Sequence, residues 1–195
     1  MDPSVGIENA ANQIADLANR YPGKKVRILG YSMGGVIGIL ASSRMQSTDV
    51  RVAAMSTAVP RAGGLNTALR ASGDVLAAAL RVRSVDRETD WLEYYRTLLF
   101  GHVGLKGPAL ADQIDALAAA KKETIVLPSP TQADAHSLNL RGWSLPKGTK
   151  VGPARVRLFV GLADPVFTTA QTHRFSRHLG GVRILGIPVR GICCS

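Results

Sequence analysis

Apolar residues recur at helical spacing through Ile7, Ala11, Ile14, Ala18 and Tyr21, with polar residues filling the gaps between them. That pattern predicts an amphipathic helix. Asp2 and Pro3 ahead of it read as a cap and a first-turn proline, and Pro22 and Gly23 end it. The pattern then changes. The run "VRILG" that opens at Val26 is short, apolar and rich in β-branched residues, the composition of a strand buried on both faces. "VIGILASSRM" reads as a second helix and "VRVAAMSTAV" as a second strand. Helix, strand, helix, strand predicts parallel α/β winding.

From residue 61 to residue 153 the sequence turns to alanine- and leucine-rich helical stretches such as "DVLAAALRV" and "PALADQIDALAAAKKE", separated by turn-rich segments. Alternation resumes with a third strand in "ARVRLFVGLADPV", a helix over "TTAQTHRFSRHL" and a fourth strand in "VRILGIPV". The expected organisation is one α/β core built from 1–60 and 154–195, with 61–153 inserted as a helical cap over the carboxyl ends of the strands.

The length of 195 residues and the 46% hydrophobic content suffice for one sizeable core. The 24 Lys and Arg against 14 Asp and Glu give a formal charge of +10, which would suit a nucleic acid, an anionic surface or an acidic substrate. Placement changes that picture. Arg27, Arg51, Arg157 and Arg183 each follow the valine that opens a predicted strand. They therefore fall at the strands' amino ends, opposite the rim where α/β sheets hold ligands. They read as a solvated rim. No run of five basic residues occurs and no aromatics interleave with basic ones, so nucleic acid is not an expected partner. Cys193 and Cys194 are adjacent, which gives neither a disulfide framework nor metal-ligand spacing. "MDPSVGIENAANQ" has no basic n-region and no apolar h-region, and no 18 uncharged apolar residues run together. The expectation is a cytoplasmic chain without an integral membrane segment. These features leave the oligomeric state open.

The chemistry concentrates in "ILGYSMGGVIG", residues 28 to 38, where Gly30-Tyr31-Ser32-Met33-Gly34 has the form G-x-S-x-G. It lies where a strand is predicted to end and a helix to begin. A serine in that turn has an exposed hydroxyl, and the helix amino terminus aims N–H groups at a developing oxyanion. Gly34 and Gly35 would let the helix approach the sheet. The plainer alternative is a glycine-rich bend whose serine caps the helix.

At these residues the chain resembles the α/β-hydrolase family, in its capped serine esterase and lipase form, whose elbow often reads G-x-S-M-G-G. The resemblance implies that Ser32 is the nucleophile and that the backbone N–H of Met33 serves the oxyanion hole. It places the acid at Asp164, in the "GLADPVF" of residues 161 to 167. Taken alone, Asp164 reads as a loop residue that caps the next helix. "YPGKKVRILGYSMGG" and "DPV" also resemble the cutinase branch, although the long insertion and the missing cysteine pairs differ from it.

The family's histidine follows the final strand, where this chain has Arg190, Gly191 and Ile192. Its four histidines are His102, His136, His173 and His178, each of which reads first as a structural or solvated residue. His178 is the substitute base that the cutinase resemblance suggests. The family also winds several strands ahead of the elbow, and a loop among them gives a second oxyanion donor. None is visible before residue 26. The expected fold is thus a partial α/β-hydrolase fold: a parallel sheet flanked by helices, with a helical cap insertion, shortened at both ends. Such a sheet would expose an apolar edge that invites pairing with another chain.

The function implied is hydrolysis of a small-molecule carboxylic ester through Ser32, a histidine and Asp164. No cofactor and no metal is implied. A catalytically incomplete remnant acting as a binding module, or an acyltransferase on the same scaffold, are the alternatives. Trp91, Tyr94 and Tyr95 suit the core of the cap as well as an acyl pocket and receive no role.

Overall fold

The computed structural model describes residues 6–59, 149–162, 164 and 166–188, with positions 93, 116, 129, 131, 132, 135, 138 and 143–147 between them. Most of the expected cap insertion, including Trp91, Tyr94, Tyr95, His102 and His136, lies outside the described residues, as do residues 189–195 with their two cysteines.

The elements follow the predicted alternation: α1 (Ile7–Asn19), β1 (Val26–Tyr31), α2 (Met33–Arg44), β2 (Val50–Met55), β3 (Val156–Gly161), α3 (Thr169–His178) and β4 (Arg183–Ile187). The strands form one sheet in the order β1-β2-β3-β4, parallel throughout. Val26 lies beside Val50 and Tyr31 beside Met55. Met55 lies beside Phe159, and Arg157 beside Arg183.

Side chains alternate across this sheet. Ile28, Val52, Leu158 and Ile184 point to the face that the helices cover, and all four belong to or pack against one core with Val36, Ile39, Leu40, Phe175 and Leu179. Close approach makes this possible. A Cβ on Gly38 of α2 would stand 2.8 Å from Ile28 Cγ2, so α2 rests directly on β1 and β2. On the other face Arg27, Arg51, Arg157 and Arg183 are exposed, and so is Leu29, at 73% of its surface. The reading of "VRILG" as a strand buried on both faces is therefore corrected: among the described residues, β1 is covered on one face. Its apolar composition does not distinguish one buried face from two.

α1 also departs from its predicted form. It starts at Ile7 with Gly6 as its cap, and Gly6 supplies no side-chain hydrogen bond; Asp2 and Pro3 lie outside the described residues. It buries Ile7, Ala10, Ala11 and Ala15, while Ile14, Leu17 and Tyr21 stay exposed. The cause is its neighbour. α1 packs on α2 rather than on the sheet, and a stripe of alanines allows the close helix contact that Ile14 would prop open. Arg44 at the end of α2 ties the pair together through the Glu8 carboxylate, the Glu8 carbonyl at 3.0 Å and Asn12 Oδ1 at 2.7 Å.

Before β3, Leu145 is buried in the same core and Trp143 and Val151 pack against it. No helix among the described residues is long and apolar enough to cross a membrane.

Candidate active site

All four strands point their carboxyl ends the same way, and Ser32 and Asp164 both lie on that rim. Ser32 directly follows β1 and Asp164 lies just past β3. Two strand spacings separate those ends, about 10 Å.

The Ser32 backbone takes φ 51 and ψ −121, left-handed territory that a serine rarely adopts. Four hydrogen bonds hold it there. Its N–H donates to the Met55 carbonyl at 3.1 Å, and its carbonyl accepts from Gly35 N at 3.1 Å, Ala58 N at 3.1 Å and Thr57 Oγ1 at 3.3 Å. The turn is thus stapled to the end of β2. Its glycines have separate duties. A Cβ on Gly30 would lie 2.5 Å from the Gly34 carbonyl oxygen and 2.7 Å from Gly35 Cα, and a Cβ on Gly35 would collide with the Thr57 side chain. No described atom lies within 4 Å of a Cβ on Gly34. The expectation that Gly34 and Gly35 both serve helix packing is therefore corrected: Gly35 and Gly38 do so.

Ser32 is the residue before α2, yet its side chain makes no capping hydrogen bond. The plain helix-cap reading thus loses its observable content. The hydroxyl of this half-buried residue stands at the carboxyl end of the sheet beside the first turn of α2. Met33 opens that helix, so its N–H is one of the first-turn donors with no carbonyl partner inside the helix. The helix dipole adds partial positive charge at the same point.

Asp164 is 94% buried, with 6% of its surface exposed. Oδ1 accepts from Val166 N at 2.8 Å and from Phe167 N at 2.9 Å, which fixes the carboxyl group in its loop. It does not cap α3. Thr168 does that, with Gln171 completing the capping box. Oδ2 is buried and takes no hydrogen bond among the described residues. Burial pushes the Asp164 carboxyl above the usual carboxylate range, while the N–H groups of Phe167 and Val166 and the nearby Ser56 hydroxyl pull it back. No hydrogen bond of good geometry joins that hydroxyl to Oδ2, so the oxygen is unsatisfied among the described residues.

His178 does not join these groups. It is the last residue of α3, exposed, and α3 runs back from the carboxyl rim toward the start of β4. Gly180, two residues on, lies against Pro153 ahead of β3, with a Cβ there 3.8 Å from Pro153 Cγ. Ten helical residues carry the chain about 15 Å. His178 is therefore at the opposite end of the sheet from Ser32, which corrects its expected role as base. His173 is exposed on the same helix. Among the described residues no group of three His, Cys, Asp or Glu side chains is arranged to hold a metal ion.

Ser56 was not singled out by the sequence. It follows β2 with φ 40, is buried to 2% exposure, and donates its N–H to the Phe159 carbonyl at 2.8 Å. "MST" carries no glycine flank to announce it.

No family model matches the chain, and no curated protein does so either. Solved structures do. A thermophilic esterase from Thermogutta terrifontis is 19% identical with a TM-score of 0.59, over 96% of this chain and 65% of that one. The enol-lactonase from Burkholderia xenovorans LB400 is 16% identical with a TM-score of 0.58, over 97% of this chain and 67% of the enzyme. An alpha/beta hydrolase enzyme from a Medee basin deep-sea metagenome library is 13% identical with a TM-score of 0.60, over 98% of this chain and 66% of its own. The chain thus spans about 65% of the length of the esterase. The likeness is one of fold: the parallel four-stranded sheet and its helices are part of an α/β-hydrolase fold.

Proposed function

We propose that this chain carries the nucleophile and acid of a serine hydrolase acting on carboxylic esters of small molecules. The observation that carries the proposal is Ser32: a non-glycine residue held in left-handed backbone at a strand-to-helix turn, with a hydroxyl that caps nothing. Such strain persists where the surroundings enforce it, and it concentrates at reacting groups. Ser32 Oγ attacks the acyl carbonyl. The oxyanion forms against the N–H of Met33 and the amino end of α2. An imidazole takes the serine's proton and returns it to the leaving alcohol, while Asp164 Oδ2 accepts from the other ring nitrogen and stabilises the imidazolium. A buried carboxylate oxygen without a donor suits that partner. The expected cap over 61–153 would receive the acyl group.

In this reading His178, at the far end of α3, is not that imidazole, and His102 and His136 lie outside the described residues. The exposure of both α3 histidines favours a second reading, in which the elbow persists without a base and the chain acts as a binding module. Turnover of a p-nitrophenyl ester series separates the two. Hydrolysis that disappears in Ser32→Ala and persists in His178→Ala supports the hydrolase. A folded chain with no turnover of any ester, with or without an added acyl acceptor, supports the module.

A further inference from the structure

The Ser32 carbonyl accepts from Gly35 N at 3.1 Å, Ala58 N at 3.1 Å and Thr57 Oγ1 at 3.3 Å. A carbonyl oxygen has two lone pairs, so three donors compete for this one. The same peptide group carries the Met33 N–H. In a trans peptide the C=O and N–H are coplanar and point in opposite directions, so whatever fixes the Ser32 carbonyl also fixes the Met33 N–H. Gly35 and Ala58 contribute backbone amides, which any sequence would supply. Thr57 contributes a side chain, the donor that a substitution can remove.

Thr57 is held in place from both sides. It is buried to 2% exposure. Ser56 before it donates its N–H to the Phe159 carbonyl of β3 at 2.8 Å, and Ala58 after it donates to the Ser32 carbonyl. Its side chain fills the space beside Gly35 Cα, where a Cβ would collide with it. Gly35 therefore admits this hydroxyl as well as letting α2 approach the sheet. The hydroxyl has one hydrogen and two acceptors within reach, the Ser32 carbonyl and the Ala58 carbonyl at 3.1 Å. The second is its chain neighbour. The first is 25 residues away in sequence and joins the end of β2 to the Ser32 turn.

We propose that Thr57 is a positioning residue for the oxyanion donor: its hydroxyl holds and polarises the Ser32–Met33 peptide, so that the Met33 N–H points away from the loop after β2. A hydrogen bond accepted by an amide carbonyl strengthens the N–H of that amide as a donor. A donor fixed before charge develops needs no reorganisation when it does. The effect on the peptide follows from the hydrogen bonds alone, while the effect on rate rests on the hydrolase reading.

Two substitutions separate the hydroxyl from the shape. Thr57→Val keeps the branched side chain without the donor, and Thr57→Ser keeps the donor without the methyl group. Backbone amide resonances of the isotope-labelled 195-residue chain are compared with those of both variants, beside p-nitrophenyl ester kinetics and urea unfolding of the same samples. In Thr57→Val the Met33 amide proton is expected to move upfield. Those of Gly35 and Ala58 are expected to move downfield, because the carbonyl they share has lost a competing donor. Turnover is expected to fall about fivefold in kcat with KM unchanged, as for a donor that acts in the transition state. Thr57→Ser is expected to restore both readouts. If Thr57→Val does not fold, Thr57→Ala supplies the same comparison. A folded variant without the hydroxyl whose Met33 resonance is unmoved overturns the proposal and leaves Thr57 bonded to Ala58 alone. Raised KM at unchanged kcat also overturns it, as does a Thr57→Ser that restores neither readout. Opposite shifts in a chain with no ester turnover support the hold on the peptide and count against the hydrolase reading alone.

Discussion

Ser32 follows β1 and Ser56 follows β2, neighbouring strands of one sheet, and both carry positive φ, 51 and 40. Their surroundings part there. Ser32 is half-buried, opens onto the carboxyl rim and leads into α2, whose first N–H groups have no partners within the helix. Ser56 is buried to 2% exposure and sits against Asp164. Backbone strain alone does not make a nucleophile. Access and an adjacent helix amino terminus set Ser32, the proposed nucleophile, apart from Ser56, whose hydroxyl lies near the Asp164 carboxyl.

The sharpest way to break that distinction is to delete each hydroxyl. Ser32→Ala is expected to lower ester turnover at least about a thousandfold, because members of such a triad act as a unit. Ser56→Ala is expected to leave turnover within about a factor of ten, since its hydroxyl touches no reacting atom. Rates measured side by side on one ester check both. Equal losses would erase the contrast.

The glycines of the Ser32 turn come next. Gly30→Ala forces a methyl group into the Gly34 and Gly35 backbone and is expected to cost about 3 kcal/mol in urea unfolding. Gly34→Ala meets no described atom within 4 Å and is expected to be neutral or to gain up to about 1 kcal/mol from helix propensity. Both positions belong to G-x-S-x-G, so the difference shows which glycine the turn requires.

Much of this turn was legible because its causes are local. A strand-like run, a serine between glycines and a helical run lie within 19 residues, from Val26 to Arg44, and backbone sterics connect them. The element order was legible for the same reason. What escaped depends on distant partners. Ser56 acquires its environment from Phe159 and Asp164, more than 100 residues away in sequence. Leu29 reads as core in "VRILG", and only the placement of the helices shows which face it occupies. His178 follows Asp164 closely in sequence, but spacing carries no direction, and α3 takes it to the other end of the sheet.

Replacing each strained serine by glycine sharpens the comparison further. Ser32→Gly relieves the left-handed backbone and is expected to stabilise the fold by about 1 kcal/mol while abolishing activity. The readout is the urea midpoint at unchanged slope. A destabilised Ser32→Gly would mean that the side chain, not the backbone, holds the turn.

The smallest effect concerns pH. The Asp164 carboxyl titrates above its unfolded value, so the folded chain binds more protons than the unfolded chain through that interval. Its contribution to stability is therefore fullest in acid and declines as pH rises from the ordinary carboxylate value through the raised one. Asp164→Asn is expected to remove that decline while keeping an acceptor for Val166 and Phe167. Thermal midpoints of both proteins across mildly acidic pH give the difference directly. An unchanged slope would mean that the carboxyl is not desolvated.

The central claim is that Ser32 is an activated nucleophile, and the most direct measurement is intact-mass analysis after exposure to a fluorophosphonate, with the adduct located by peptide mapping. The account predicts one adduct on Ser32, absent in Ser32→Ala, retained in His178→Ala, and strongly reduced in Asp164→Asn. A folded chain that stays unlabelled, or an adduct carried by another residue, would contradict it.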